Sequence, residues 1–269
     1  MAWIWLVAHL TGAYPLWRCW RANRATSLAH AVIWAIIAWF AWGLVWLYQA
    51  IRPDEEFIVL AYLALCFTSC AAMAVLGARR PGVGAWNFVL AGLFAILLLP
   101  LAEGSGELHL TTSRIVFVLA TLSVIPFNYT LTRMGGVALA VFVGCGIQMA
   151  ALFGLLGSSH GGERLTVEIG QALIVLSPWF ALVQMPRLPK SLSSFDRIWL
   201  DFRDRFGMIW ALRVGEQFNR AAANAGWPVR LNWSGSINMS EEVNLPAVRA
   251  LQALLKRFGP ANPQEQQPF

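Results

Sequence analysis

Seven blocks of sixteen to twenty-four almost uncharged residues recur along the first 185 positions, and a chain patterned this way has few folds open to it. They run Ala2 to Trp17, Ser27 to Ala50, Phe57 to Leu76, Ala85 to Ala102, Ile115 to Leu131, Val137 to Gly157, and Val167 to Met185. A hydrocarbon layer about 30 Å thick is crossed by roughly 17–25 helical residues. The first and fifth blocks are short for this, with Arg18, Arg21 and Arg114 placed to snorkel at their ends. Composition agrees: 58% of residues are apolar and 13% charged, against roughly 45–50% and about 25% in a soluble domain. The expected fold is an all-α membrane protein of about seven transmembrane helices over residues 1–186, a linker at 187–194, a small α or α+β domain at 195–260, and a disordered tail at 261–269. The amino terminus lacks the positive segment of a signal peptide and reads as a retained helix.

Charge between the blocks sets an orientation. One set of links carries Arg18, Arg21, Arg24, Arg79, Arg80 and Arg133 and no acid. The alternate set holds Arg52, Arg114 and Arg164 with Asp54, Glu55, Glu56, Glu103, Glu107 and Glu163. Arginine in short loops stays cytoplasmic, so the first set faces inward, the amino terminus lies outside and the C-terminal domain is cytoplasmic. The net charge of +6 follows this pattern rather than forming the basic stripe of a nucleic-acid binder. Many of the fourteen tryptophans lie at block ends, as an aromatic belt requires.

Chemistry-bearing groups inside the blocks are few. An ionisable residue at membrane depth is costly and marks a functional candidate, yet only His9, His30 and Glu168 come near that position, at unmatched depths that disfavour a bis-histidine haem. Cys19, Cys66, Cys70 and Cys145 show no metal-ligand spacing, so neither cofactor nor metal is expected. Gln148, Ser177, Thr68 and Asn128 are the candidates for a polar cavity, the alternative being separate interhelical hydrogen bonds. Pro126 and Pro178 free backbone carbonyls. Gly144 and Gly146 allow a close helix approach.

Beyond Met185 the pattern changes. Phe195, Ile198, Trp199, Phe202, Phe206, Ile209, Trp210, Val214 and Phe218 recur at helical spacing, with Ser193 and Asp196 forming a capping box and Gly226 followed by Pro228 closing one long helix. Asp201 and Asp204 are expected as solvated partners of Arg197 and Arg205. Trp227 to Trp233 alternates as a strand that Ser234-Gly235 turns back. A second helix is expected from Leu245 to Phe258, capped by Asn244. The aromatic face built on Trp199, Phe202, Phe206 and Trp210 is too large to leave in water; its coverings are self-packing, a protein partner or the membrane surface, in that order.

The segment Trp199-Leu-Asp-Phe-Arg-Asp-Arg-Phe-Gly207, with Arg213-Val-Gly-Glu-Gln-Phe-Asn219 and Ala-Gly226-Trp-Pro, resembles the tails of some uncharacterised bacterial multipass membrane proteins. The resemblance covers mainly residues 195 to 235, implies a bacterial inner-membrane setting and carries over no catalytic residue. No phosphate loop, metalloprotease, nucleophile-elbow or dinucleotide motif is present. The expected function is a non-enzymatic anchoring or accessory subunit whose cytoplasmic domain docks a protein partner, the alternative being a small-molecule transporter or sensor.

Overall fold

The computed structural model describes residues 2–52, 57–79, 83–103, 108, 111–155, 160–184 and 192–259. Its first apolar block is not a single helix. It folds as α1 (Ala2–Thr11) and α2 (Ala13–Asn23), interrupted at Gly12. Pro15 supplies the reason, because it has no N–H for the Thr11 carbonyl, and the Gly12 N–H turns back to the His9 carbonyl at 2.8 Å. The ten residues of α1 rise only about 15 Å, half of a hydrocarbon layer, so neither piece crosses alone.

Among the described residues six helices are long and apolar enough to cross a bilayer: α3 (Ala29–Ile51), α4 (Ile58–Ala74, prolonged by a 3-10 turn at Val75–Gly77), α5 (Val83–Glu103), α6 (Thr112–Tyr129), α7 (Gly135–Leu152) and α8 (His160–Gln184). The chain is thus a multipass helical membrane protein whose solvent is partly lipid. Phe88, Ile96, Phe127 and Val183 stand exposed on the outside of the bundle, where hydrocarbon rather than water would meet them.

At the centre stands α4. Its buried positions are mostly small, among them Ala61, Ala64, Cys66, Ser69 and Cys70, which lets α3, α5, α6 and α7 all pack against it. The expected approach at Gly144 is present. A Cβ there would lie 2.9 Å from the Gly170 carbonyl oxygen, so α7 and α8 meet at backbone distance. Pro178 leaves the Ile174 carbonyl without a helical donor, and the Ser177 hydroxyl donates to it at 2.8 Å.

The C-terminal domain consists of α9 (Ser194–Asn224), a hairpin of β1 (Arg230–Asn232) and β2 (Gly235–Ile237), and α10 (Glu241–Leu255). Ser193 caps the helix, its Oγ accepting from the Asp196 N–H at 3.0 Å, but in place of the reciprocal bond of a capping box the Asp196 carboxylate accepts from the Ser193 hydroxyl at 2.7 Å. At the other end the Trp227 N–H reaches the Ala222 carbonyl and the Gly226 N–H that of Ala223, the Schellman closure. The strands pair antiparallel, Leu231 opposite Ser236.

Two expectations are corrected. The long helix is broken at Gly207, whose φ of 77° and ψ of −176° are not helical; apolar periodicity continues across the break and so conceals it. The last helix starts at Glu241 after Ser240, so Asn244 lies inside it rather than capping it. Residues 185–191 and 260–269, holding most of the expected linker and the expected disordered tail, fall outside the described residues.

Two cores result. One lies within the bundle around Trp46, Tyr62, Leu65 and Leu122. The other joins Phe195, Trp199, Phe206, Phe218 and Leu251 of the C-terminal domain to Leu28, Ala31, Ala74, Ala78 and Leu90 at one end of the bundle. The domain is continuous with that end.

Candidate functional site

The four polar groups expected to share a cavity are all buried, but each has its own partner. Thr68 donates to the Ala64 carbonyl and accepts from Trp42 Nε1 at 3.1 Å. The Gln148 amide donates to the Val167 carbonyl at 3.0 Å, Ser177 to Ile174, and Asn128 to the C-terminal domain. No bond links any two of the four. Each is tied into its own helix joint, because a polar atom at this depth must be satisfied by the nearest backbone or side chain. The histidines also stay apart. His9 stacks on Trp39 and places Nε2 2.9 Å from the Trp39 carbonyl, while His30 meets Asn87. Among the described residues no group of His, Cys, Asp and Glu could hold a metal ion.

Cys66, Cys70 and Cys145 are fully buried. Cys19 is half-buried in α2, where its Sγ accepts from the Asn23 amide at 3.7 Å.

The aromatic face is covered by the chain itself. Trp199, Phe202, Phe206 and Trp210 are only 2%, 5%, 4% and 5% exposed, so the sequence-based docking face is not an open surface. Phe258, just beyond α10, packs against Phe202, Phe206 and Trp210 with ring centroids 5.0–5.3 Å apart. The expected self-packing by the second tail helix and hairpin accounts for part of this cover; the rest comes from the bundle end at Leu28, Ala31, Ala74, Ala78 and Leu90, which was not among the expected coverings.

Polar bonds align this contact. Asn128, at the end of α6, sits on the break in α9: its Nδ2 donates to the Phe206 carbonyl at 3.3 Å and its Oδ1 accepts from the Ile209 N–H at 3.1 Å. A Cβ at Gly207 would come within 2.2 Å of that amide, and its backbone occupies a left-handed φ that side chains resist. The Tyr129 hydroxyl donates to the Arg205 carbonyl at 3.0 Å, Trp210 Nε1 to the Val75 carbonyl at 3.0 Å, and Trp233 Nε1 to the Leu131 carbonyl at 2.9 Å. Ser27, between α2 and α3, bonds the carbonyls of Ala78 and Phe258. Asp201 pairs with Arg205 on the surface as expected. Asp204 does not: it is buried against Arg203 at 2.7 Å and reaches Arg133 at 3.4 Å, because the Gly207 break turns this part of α9 toward the bundle end. The Arg203 guanidinium also donates to the Trp233 carbonyl and lies 5.1 Å from the Trp233 ring centroid.

The other side of α9 carries the hairpin, clamped at both edges. Asn219 accepts from the Leu231 N–H at 2.7 Å and donates to the Leu231 carbonyl at 2.9 Å. Asp196 accepts from the Ser236 N–H at 2.7 Å. These side chains take the backbone groups a further strand would use. Between the second half of α9 and residues 227–233 lies a groove of about 630 Å³. Trp199 and Gly215 form its floor, and Leu212, Ala223, Trp227 and Arg230 contribute to its lining. Glu216 is taken by Arg220 one turn away. A smaller pocket of about 190 Å³ lies between α4, α5 and α6 beside Tyr62, and neither cavity is lined by Gln148, Ser177, Thr68 or Asn128.

The groove escaped sequence reasoning. Its strand was legible, but the Asn219 clamp joins positions twelve residues apart and has no periodic signature. Comparison of the chain with models of protein families, with curated proteins and with solved structures finds no match.

Proposed function

We propose that this protein is a non-enzymatic membrane anchor whose C-terminal domain, fixed to the cytoplasmic end of the bundle, presents the α9–hairpin groove to a segment of a partner protein. The groove on a rigidly attached domain is the observation that carries this reading. Its open form favours a polypeptide, since small-molecule sites enclose most of their ligand. Its floor is aromatic, and Arg230 on its rim is exposed. The fitting partner is therefore an extended segment with an apolar side chain for the Trp199 floor and a carboxylate for Arg230. Recognition runs through side chains, because Asn219 occupies the Leu231 backbone and excludes strand addition there.

The orientation belongs to the same proposal. Arg24, Arg79 and Arg133 all lie in links at the bundle end that carries the domain, which supports a cytoplasmic domain in a bacterial inner membrane. We take α1 and α2 together as the seventh, broken crossing, with the amino terminus outside. Reporter fusions after Arg79 and after Phe258 give the same sidedness, and one at Glu103 the opposite.

Peptide selection on the purified full chain tests the groove. Selected segments pair an aromatic or aliphatic residue with an acid, Arg230→Glu weakens them about tenfold and favours basic ones, and Ala223→Trp fills the groove and abolishes binding. Selection without a shared pattern, or binding indifferent to both substitutions, overturns the reading.

A further inference from the structure

We propose that α2 is a binding site for anionic phospholipid headgroups, distinct from the groove and independent of what the groove binds. The helix has two unlike faces. Pro15 and Asn23 are buried against the bundle, with Cys19 partly so between them. Tyr14, Trp17, Arg18 and Arg21 recur at helical spacing on the exposed side, and Arg24 follows at the C-cap. No aspartate or glutamate occurs anywhere in α2. Arg18, Arg21 and Arg24 have no acidic partner among the described residues, and Arg205 of α9 has its own acid in Asp201.

Aromatic rings fix the depth of this charge. Tyr14 lies 6.3 Å from Trp17 and 6.3 Å from Trp179 of α8, an aromatic shelf spanning two helices. Trp179 Nε1 donates to Thr11 Oγ1 at 3.2 Å, so the shelf is tied to the α1–α2 break. Trp17, more than a turn beyond the break, settles at the glycerol and carbonyl level of a bilayer, with Tyr14 and Trp179 lining the acyl chains next to it. The arginines then stand at phosphate level, and the Arg21 guanidinium packs 5.0 Å from the Trp17 ring centroid, held over the shelf by cation–π attraction. An apolar shelf beneath three unpaired cations matches one molecule with acyl chains and a net-negative headgroup. A zwitterionic lipid supplies the chains but no net charge, and a soluble anion supplies the charge but nothing for the rings.

The test measures binding of a fluorescent phosphatidylglycerol to the full chain in neutral detergent, with phosphatidylcholine as the paired arm. Phosphatidylglycerol binds and phosphatidylcholine does not compete. The variant Arg18→Gln/Arg21→Gln/Arg24→Gln binds about a hundred-fold more weakly, each arginine contributing roughly five-fold near a lipid surface. The corresponding triple Lys variant retains binding, which separates lost charge from lost fold, and Arg249→Gln on α10 changes nothing. Equal binding of the two lipids overturns the proposal, as does an unaltered affinity in the triple Gln variant. Competition by soluble glycerol phosphate or an acidic peptide as strong as that by the lipid also overturns it.

Discussion

The bundle interior and the C-terminal domain handle polar groups in opposite ways. Inside the bundle Thr68, Gln148 and Ser177 each meet a nearby partner and none bonds another of the three. At the domain the amides of Asn219 and of Asn128, the latter reaching over from the end of α6, each bridge a backbone donor and a backbone acceptor on another element. Packing of small residues holds the first region; directional bonds place the second. A segment dissolved in lipid must satisfy its polar groups close at hand, whereas a domain at the water boundary can use them as long-range joints.

The comparison is broken most severely at Asp204. Asp204→Ala leaves Arg203 and Arg133 facing one another without their shared acid, at a cost of about 4 kcal/mol, measured as a lowered midpoint of thermal unfolding in detergent. A loss as small as that of a surface pair would show that directional bonds do not place the domain. Asn219→Ala exposes the Leu231 N–H and carbonyl and costs about 2 kcal/mol; hydrogen exchange should rise at residues 229–232 while the bundle stays protected. Ser177→Ala is the smallest change, about 0.6 kcal/mol, and a large effect there would mean that the bundle also depends on directional bonding.

What was legible in the sequence follows the same division. Six long helices, the Ser193 cap, the Gly226 closure and the hairpin all rest on local periodicity or local turn chemistry, and all are present among the described residues. The break between α1 and α2 was written in Pro15 but masked by unbroken hydrophobicity. The positions of Asp204 and Asn128 could not be read at all, because they depend on Gly207 adopting a left-handed turn that Asn128, seventy-nine residues earlier in the chain, stabilises. Gly207 stood in plain view as the end of a motif, and a glycine within a strongly periodic helix is a permissible break rather than a certain one. For the groove, the aromatic residues were visible but their sides were not: Trp199 lies at its floor, and Phe202, Phe206 and Trp210 lie on the bundle side.

The grip of Asn128 on the turn at Gly207 carries a message about assembly. Position 128 leaves the ribosome well before position 207, on a helix destined for the bilayer. The amide is therefore made before the helix whose interrupted ladder it bridges. The end of α6 thus acts as a jig for the break in α9.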